Sequence, residues 1–268
     1  CPHLGAHIGY GGTVKGESVA CPFHGWEFNG DGFCTDVPYA KNMPPKVKNA
    51  ACIPSHPTEE KNGYIYVWYH PSNEAPHYDV AEVPEANSAD WNLVATKSWV
   101  LGCPLQESGE NAVDKAHFKY VHGTADVPDA EVVIDGPRRI TTFDAEMTDM
   151  GTKEDGTYPV ISLHSENLGP GLTMQRFTGM FETVLLGLAT PIDRNSSKLT
   201  FVFYQTKAQT EGEAFIAEAF YQELCRQVEQ DMVIWDHKRY HPNPILCDGD
   251  GPIAQFRKWF SQFYPETA

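Results

Sequence analysis

Cys1-Pro2-His3 is followed, after seventeen intervening residues, by Cys21-Pro22-Phe23-His24. Two thiols and two imidazoles, each pair trailed by small or turn residues (Leu4-Gly5 and Gly25-Trp26), form a metal-ligating set. Such a set suits a tetrahedral zinc or an iron–sulfur cluster with mixed ligands. A second constellation lies farther along. His117 and His122 are five apart, about 140° around an ideal helix, so a regular helix cannot aim both the same way. Gly123 lets the helix unwind near its end and turn His122 back. Asp114 stands three residues before His117 on the same face, close enough to hold its imidazole.

Two imidazoles and one carboxylate are the donor set of a mononuclear non-haem iron. A long helix expected from Glu211 to about Trp235 offers Glu229, Asp231 and, at its end, Asp236 as candidate carboxylates. Its apolar stripe runs Ala217, Tyr221, Leu224, Val228 and then, past Asp231, Trp235. Asp231 thus occupies a position where an apolar residue is expected. A carboxylate on a buried face is costly unless it is paired or bound to metal. Asp231 is therefore the expected third ligand, and Asn111 a plausible neighbour of the metal.

These residues need elements to position them. From Gly11 to Cys34 short extended stretches alternate with glycines, and Asn29-Gly30-Asp31-Gly32 reads as a hairpin turn. Tyr64 to Tyr69 reads as a strand, and Pro71, Pro76 and Pro84 mark a linker. A helix is expected over about Leu105–His122, successive strands over 131–207, and a short helix over 252–263. Strands bracketed by helices fit an α+β fold with helices against one antiparallel sheet. The expected division is a small all-β domain over 1–75 and a larger domain over 76–268.

The first constellation resembles the Rieske signature, Cys-x-His then Cys-x-x-His, in spacing, prolines and glycines. That resemblance implies a 2Fe–2S cluster with Cys1 and Cys21 on one iron and His3 and His24 on the other. Respiratory Rieske proteins carry a further cysteine in each loop; here those positions are Ala6 and Phe23, and Trp26 replaces the usual serine. The cluster is thereby expected at the lower end of the Rieske potential range, suited to feeding oxygen chemistry.

With the second constellation included, nearly the whole chain resembles the α-subunit of Rieske non-haem iron oxygenases. The helix motif from Glu110 to His122 carries that match. Val19 to His24, Val37-Pro38-Tyr39-Ala40, Ala116-His117-Phe118, Asp231 to Lys238 and the stretch from Asp250 to Tyr264 are most like 3-ketosteroid 9α-hydroxylase oxygenase components and sterol 7-desaturases. The resemblance implies a helix-grip catalytic domain with Fe(II) on His117, His122 and Asp231. It also implies activation of O2 and a small hydrophobic substrate, a steroid or sterol. Electrons would come from NAD(P)H through a ferredoxin or a flavin/ferredoxin-type reductase, since no dinucleotide-binding glycine fingerprint is present. It further implies a head-to-tail homotrimer in which Asp114 bridges His117 and His24 of the partner subunit. Desaturation, or the arene dioxygenation and O-demethylation of other members, are the alternative reactions; an electron carrier or zinc module is the alternative class. Family members have strands before the first of these cysteines, so a preceding segment is expected; the chain starts at Cys1.

The rest of the sequence sets boundary conditions. The chain has 268 residues and a net charge of −16, which disfavours nucleic-acid binding. Residues 71–268 carry nearly all of that charge, while 1–70 hold five lysines against six acids. Lys41, Lys46 and Lys48 cluster just after the ligand loops and are expected to steer an acidic redox donor. Leu163, Phe177, Met180, Phe181, Val184, Leu185 and Phe201 are candidates for a pocket or for core, and His164 for a polar contact. Seven cysteines in an odd, unpatterned set suggest reduced thiols and a cytoplasmic setting. Those outside the ligand pairs are expected to be buried small apolar residues.

Overall fold

The computed structural model describes residues 1–123, 130–146, 152–179, 182–208 and 210–264. Met180 and Phe181 lie outside the described residues. The chain parts into two compact units, Cys1–Glu60 with Ile65–His77, and Lys61–Tyr64 with Tyr78–Ala268.

The first unit is built on a four-stranded antiparallel sheet of three-residue strands in sequence order: β1 (Thr13–Lys15), β2 (Ser18–Ala20), β3 (Glu27–Asn29) and β4 (Cys34–Asp36). The expected turn joins β3 to β4. Asn29 accepts from the Phe33 amide at 2.9 Å through its side chain, and Gly32 takes φ +82°. Strands this short bury little by themselves. Trp26, Phe28, Cys34, Val37 and Val47 fill the core with Cys21, and Val47 is delivered by a one-turn helix, α1 (Pro45–Lys48). The strand expected from Tyr64 is shorter than its pattern suggests. It forms a hairpin of β5 (Thr58–Lys61) and β6 (Tyr64–Val67), with Ile65 and Val67 exposed.

The second unit is a seven-stranded antiparallel sheet with helices, the expected α+β architecture. Its strands are β7 (Trp91–Leu101), then β8 (Glu131–Asp135), β9 (Arg138–Glu146), β10 (Val160–Leu168), β11 (Leu172–Thr178), β12 (Thr183–Pro191) and β13 (Ser197–Thr206). Their order is β7-β13-β12-β11-β10-β9-β8, so β8 to β13 form a meander and β7 joins its far edge. β7 carries no clear strand signature in the sequence, because its polar and apolar residues alternate only in part.

Between β7 and β8 the expected single helix over Leu105–His122 is two: α2 (Leu105–Asn111) and α3 (Lys115–Tyr120). The break has a local cause. Asp114 leaves helical geometry at ψ 101° and caps α3 by accepting from the His117 amide at 3.3 Å. The long helix α4 (Glu211–Trp235) matches its expected bounds; α5 (Ile253–Phe260) continues as a 3₁₀ turn over Ser261–Phe263.

α4 lays Cys225, Val228 and Trp235 against Trp99, Leu101, Leu185 and Phe203 of the sheet. Phe177 and Phe201 pack on the same cluster, so these two and Leu185 are core rather than pocket lining. Glu110 forms a two-pronged ion pair with Arg257 (2.5 and 2.8 Å), and Glu107 meets Lys238 at 3.1 Å; together they brace α2 against the chain after α4. All seven cysteines are free. Cys34, Cys103 and Cys225 are buried, and burial pushes the Cys103 thiol up to about 12. Cys52, half-buried, and Cys247, exposed, depart from the expectation. No helix among the described residues is long and apolar enough to cross a membrane.

Candidate metal centres

In the first unit, the two ligand loops are the same turn used twice. The Gly5 amide donates to the Cys1 carbonyl at 3.0 Å, and the Gly25 amide donates to the Cys21 carbonyl at 3.0 Å. Each turn needs its glycine, with φ +80° at Gly5 and +72° at Gly25, a region costly for residues with a Cβ. The histidine sits two residues after the cysteine in one loop and three in the other, yet the rings meet edge to face, 4.8 Å between centroids. His3 also stacks flat on Trp26 at 4.7 Å and 8°. Its Nδ1 is buried with no hydrogen-bond partner. A buried, unpartnered imidazole nitrogen costs free energy unless something else satisfies it. Beside it, Cys21 is buried in the core that Cys1 joins. Two thiols and two imidazoles with an orphaned nitrogen fit a 2Fe–2S cluster held by two residues of each type.

In the second unit, His117, His122 and Asp231 offer ligand atoms that all lie within 4.8 Å of one another. α3 supplies His117 and ends at Tyr120, so His122 comes from the turn beyond it, before Gly123 at φ +69°. Unwinding at the helix end therefore resolves the five-residue spacing. The rings stand 5.0 Å apart at 78°. Asp231 reaches the group from the buried stripe of α4, its side chain only 7% exposed, with Oδ1 3.4 Å from Nε2 of His122.

Each donor is held from behind. Nδ1 of His117 lies 2.6 Å from the main-chain carbonyl oxygen of Asp114. Asp114 thus tethers the imidazole as expected, but through its backbone; its carboxylate caps the helix instead. Nδ1 of His122 meets Oε1 of Gln230 at 2.9 Å. Gln230 was missed in the sequence because it lies beside the stripe; its position next to Asp231 is the only signal. Asn111 donates to Oδ2 of Asp231 at 2.8 Å and lies 3.1 Å from Nε2 of His117. With both Nδ1 atoms engaged by oxygen acceptors, each ring keeps Nε2 as its donor atom, that of His122 3.4 Å from the Asp231 carboxylate and that of His117 beside the Asn111 amide. Burial pushes the Asp231 carboxyl above the usual carboxylate range, opposed by both imidazoles and the Asn111 amide. Two imidazole nitrogens and one buried carboxylate fit a mononuclear Fe(II).

Two further expectations are placed elsewhere. His164 and Leu163 line a cleft of about 480 Å³ with Thr142 and Arg176. In register, His164 pairs with Arg176 and Leu163 with Phe177, so the polar pair faces away from the α4 side of the sheet. Glu229 is exposed and bonded to Lys97 at 2.6 Å, and Asp236 is exposed, which leaves Asp231 as the buried carboxylate of the three.

Residues 1–57 match the Rieske [2Fe-2S] domain, and residues 67–264 match the 3-ketosteroid 9alpha-hydroxylase C-terminal domain. A 3-ketosteroid-9-alpha-monooxygenase oxygenase component from Rhodococcus rhodochrous is 33% identical over 293 residues, covering all of this chain and 70% of that protein. A cholesterol 7-desaturase from Xenopus laevis is 30% identical over 293 residues, and the chain spans 63% of its length. Among solved structures, dicamba monooxygenase bound to dicamba superposes with a TM-score of 0.75 at 16% identity, over 98% of this chain and 84% of that one. NdmB from Pseudomonas putida CBB5 gives 0.72 at 19% identity, over 97% and 75%.

Proposed function

The chain belongs to the Rieske oxygenases that carry the 3-ketosteroid 9α-hydroxylase C-terminal domain, and from that footing we propose that it is the terminal oxygenase component of a steroid- or sterol-hydroxylating system. Cys1, His3, Cys21 and His24 would hold the 2Fe–2S cluster; His117, His122 and Asp231 would hold Fe(II). When bound, the cluster would supply electrons and the iron a site for O2 activation, the chemistry of a monooxygenation in which one oxygen atom enters a C–H bond and the other, with two electrons and two protons, leaves as water.

The chain's own residues keep these groups in order. The Asp114 carbonyl and Gln230 fix both imidazole tautomers, so each presents Nε2. Asn111 orients Asp231 and limits how far its carboxylate can swing. The Asp114 carboxylate is the residue for relaying electrons between subunits: in a head-to-tail homotrimer it would reach His24 of the partner subunit while its carbonyl retains His117. Electrons would arrive from NAD(P)H by way of a ferredoxin or a flavin/ferredoxin-type reductase. The steroid or sterol substrate rests on the relatives' activities.

The observation that carries this reading is the convergence of His117, His122 and Asp231 within 4.8 Å on α3, its following turn and α4. The test is metal analysis with visible and EPR spectra, followed by turnover of a steroid and sterol panel with a surrogate reductase under ¹⁸O2. Three irons per chain, a Rieske signal and one labelled oxygen in the product are expected. A colourless zinc protein, or two irons per chain, would overturn the reading. The desaturase relatives favour a second outcome at the same centre, a new C=C bond and no label in the product.

A further inference from the structure

Resting on the oxygenase reading, we infer that the face formed by Tyr39 with Lys41, Lys46 and Lys48 is the electron port of the first unit, and that it takes an acidic one-electron donor protein. A continuous contact runs from a cluster-ligand position to the surface. His3 stacks on Trp26, whose ring is buried. The Trp26 Nε1–H donates to the Tyr39 hydroxyl at 2.8 Å. Tyr39 is 61% exposed, and its ring lies 6.4 Å from that of His24. One exposed side chain thus touches, directly or through Trp26, both imidazole positions.

The lysines follow on the same stretch of chain. Lys41 is two residues past Tyr39, and Lys46 and Lys48 flank Val47 on α1. Val47 is buried in the core that contains Cys21 and Trp26, which anchors α1 to the ligand-bearing part of the unit. All three lysines are exposed. Lys46 is seven residues past Tyr39, a span of at most ~25 Å even if fully extended, so Lys41 and Lys46 fall within one protein-sized footprint of Tyr39. The other lysine of this unit, Lys15, is engaged by Glu27 at 2.8 Å. In a chain of net charge −16, these three exposed lysines give a negatively charged donor local attraction. One electron leaves the donor, which is oxidised, and the cluster is reduced.

The test runs the transfer backwards with small redox probes on the purified full chain. The cluster is reduced with dithionite, excess reductant is removed, and its oxidation is followed by stopped flow. Hexacyanoferrate(III), an anion, takes one electron and becomes hexacyanoferrate(II); tris(phenanthroline)cobalt(III) is the cationic counterpart. At low salt the anion is expected to react fast and to slow as ionic strength rises, the reverse of what the net charge dictates. The triple variant Lys41→Glu, Lys46→Glu, Lys48→Glu should lower that rate about tenfold or more and invert its salt slope, with the cationic probe moving the other way. Redox-inert hexacyanocobaltate(III) should compete with the anionic oxidant in the wild type only, and the cluster's midpoint potential should stay put. If the charge-reversed protein loads cluster poorly, the Lys→Gln triple should still show most of the rate loss. A wild-type rate that rises with salt, or a triple variant like the wild type, would overturn the port while leaving the oxygenase reading intact. A chain that never shows the Rieske spectrum would overturn that reading and the port with it.

Discussion

Oε1 of Gln230 lies 2.9 Å from Nδ1 of His122, while Asp231, the next residue on α4, presents Oδ1 3.4 Å from Nε2 of the same ring. Adjacent residues thus grip one imidazole at both nitrogens. A neutral amide acceptor fixes the tautomer without adding a second negative charge beside the carboxylate. Gln230→Leu is therefore expected to weaken Fe(II) or Co(II) binding by about 10–100-fold, read by metal titration of the apo protein. Gln230→Glu keeps an acceptor and should restore most of the affinity. Equal affinities for wild type and Gln230→Leu would show that the contact positions nothing.

Asp114 separates two roles by atom. Its carbonyl holds Nδ1 of His117 and its carboxylate caps α3. Asp114→Asn keeps the backbone and supplies a good N-cap, so metal content and Tm should match the wild type. Asp114→Ala loses the cap and should cost about 1 kcal/mol. Both are expected to slow turnover at least about tenfold, 1.4 kcal/mol of barrier, with iron and cluster fully loaded. Loss of iron in Asp114→Asn would refute the assignment of the tether to the carbonyl.

What the sequence made legible follows the kind of information each residue carries. Asp231 stood out because a carboxylate interrupts an apolar stripe, a long-period pattern that survives without coordinates. The ligand pairs stood out because thiols and imidazoles rarely coincide with prolines and glycines. Their shared turn, with both glycines at positive φ, is a property of backbone and not of residue type. The break between α2 and α3 was hidden because Ala112, Val113 and Asp114 all tolerate a helix, and the cap is visible only once ψ at Asp114 is known. Gln230 was hidden for a related reason: amide side chains on helices are usually solvated, and its partner is distant in sequence. β7 was hidden because much of it is exposed, so its outward residues dilute the alternation.

Glu85 and Arg176 make the stability of the second unit depend on pH. Burial would push the Glu85 carboxyl up, but hydrogen bonds from Arg176, at 2.9 and 3.2 Å, hold it below the usual carboxylate range. A carboxyl depressed on folding stabilises the fold above its unfolded value, about 4.5, and that contribution is lost as pH falls through the folded value. Glu85→Gln should therefore cost about 1–2 kcal/mol at neutral pH, roughly 2–8 °C in Tm. The gap from wild type should narrow steadily below pH ~4.5. Parallel melting curves at every pH would remove the ion pair from the account.

Asp231 sets stability against function. Without metal, a carboxylate sits on the buried face of α4, where desolvation disfavours its charge and only Asn111 and two imidazoles compensate. Asp231→Asn keeps the shape and a carbonyl oxygen for the Asn111 amide while removing the charge. The apo variant is therefore expected to melt at or above the apo wild type, by up to about 2 kcal/mol. Metal reverses the order. Fe(II) or Co(II) should raise the wild-type Tm, since a ligand that binds only the folded state adds RT ln(1 + [L]/Kd), about 2.7 kcal/mol at a hundred times Kd. Asp231→Asn should show little or no metal-induced shift. Were Asp231 only a structural ion-pair partner of His122, its loss would strand a buried imidazole, and the apo variant would melt several degrees lower. The sign of the apo difference, read together with the metal-induced shift, decides between a buried salt bridge and a metal ligand.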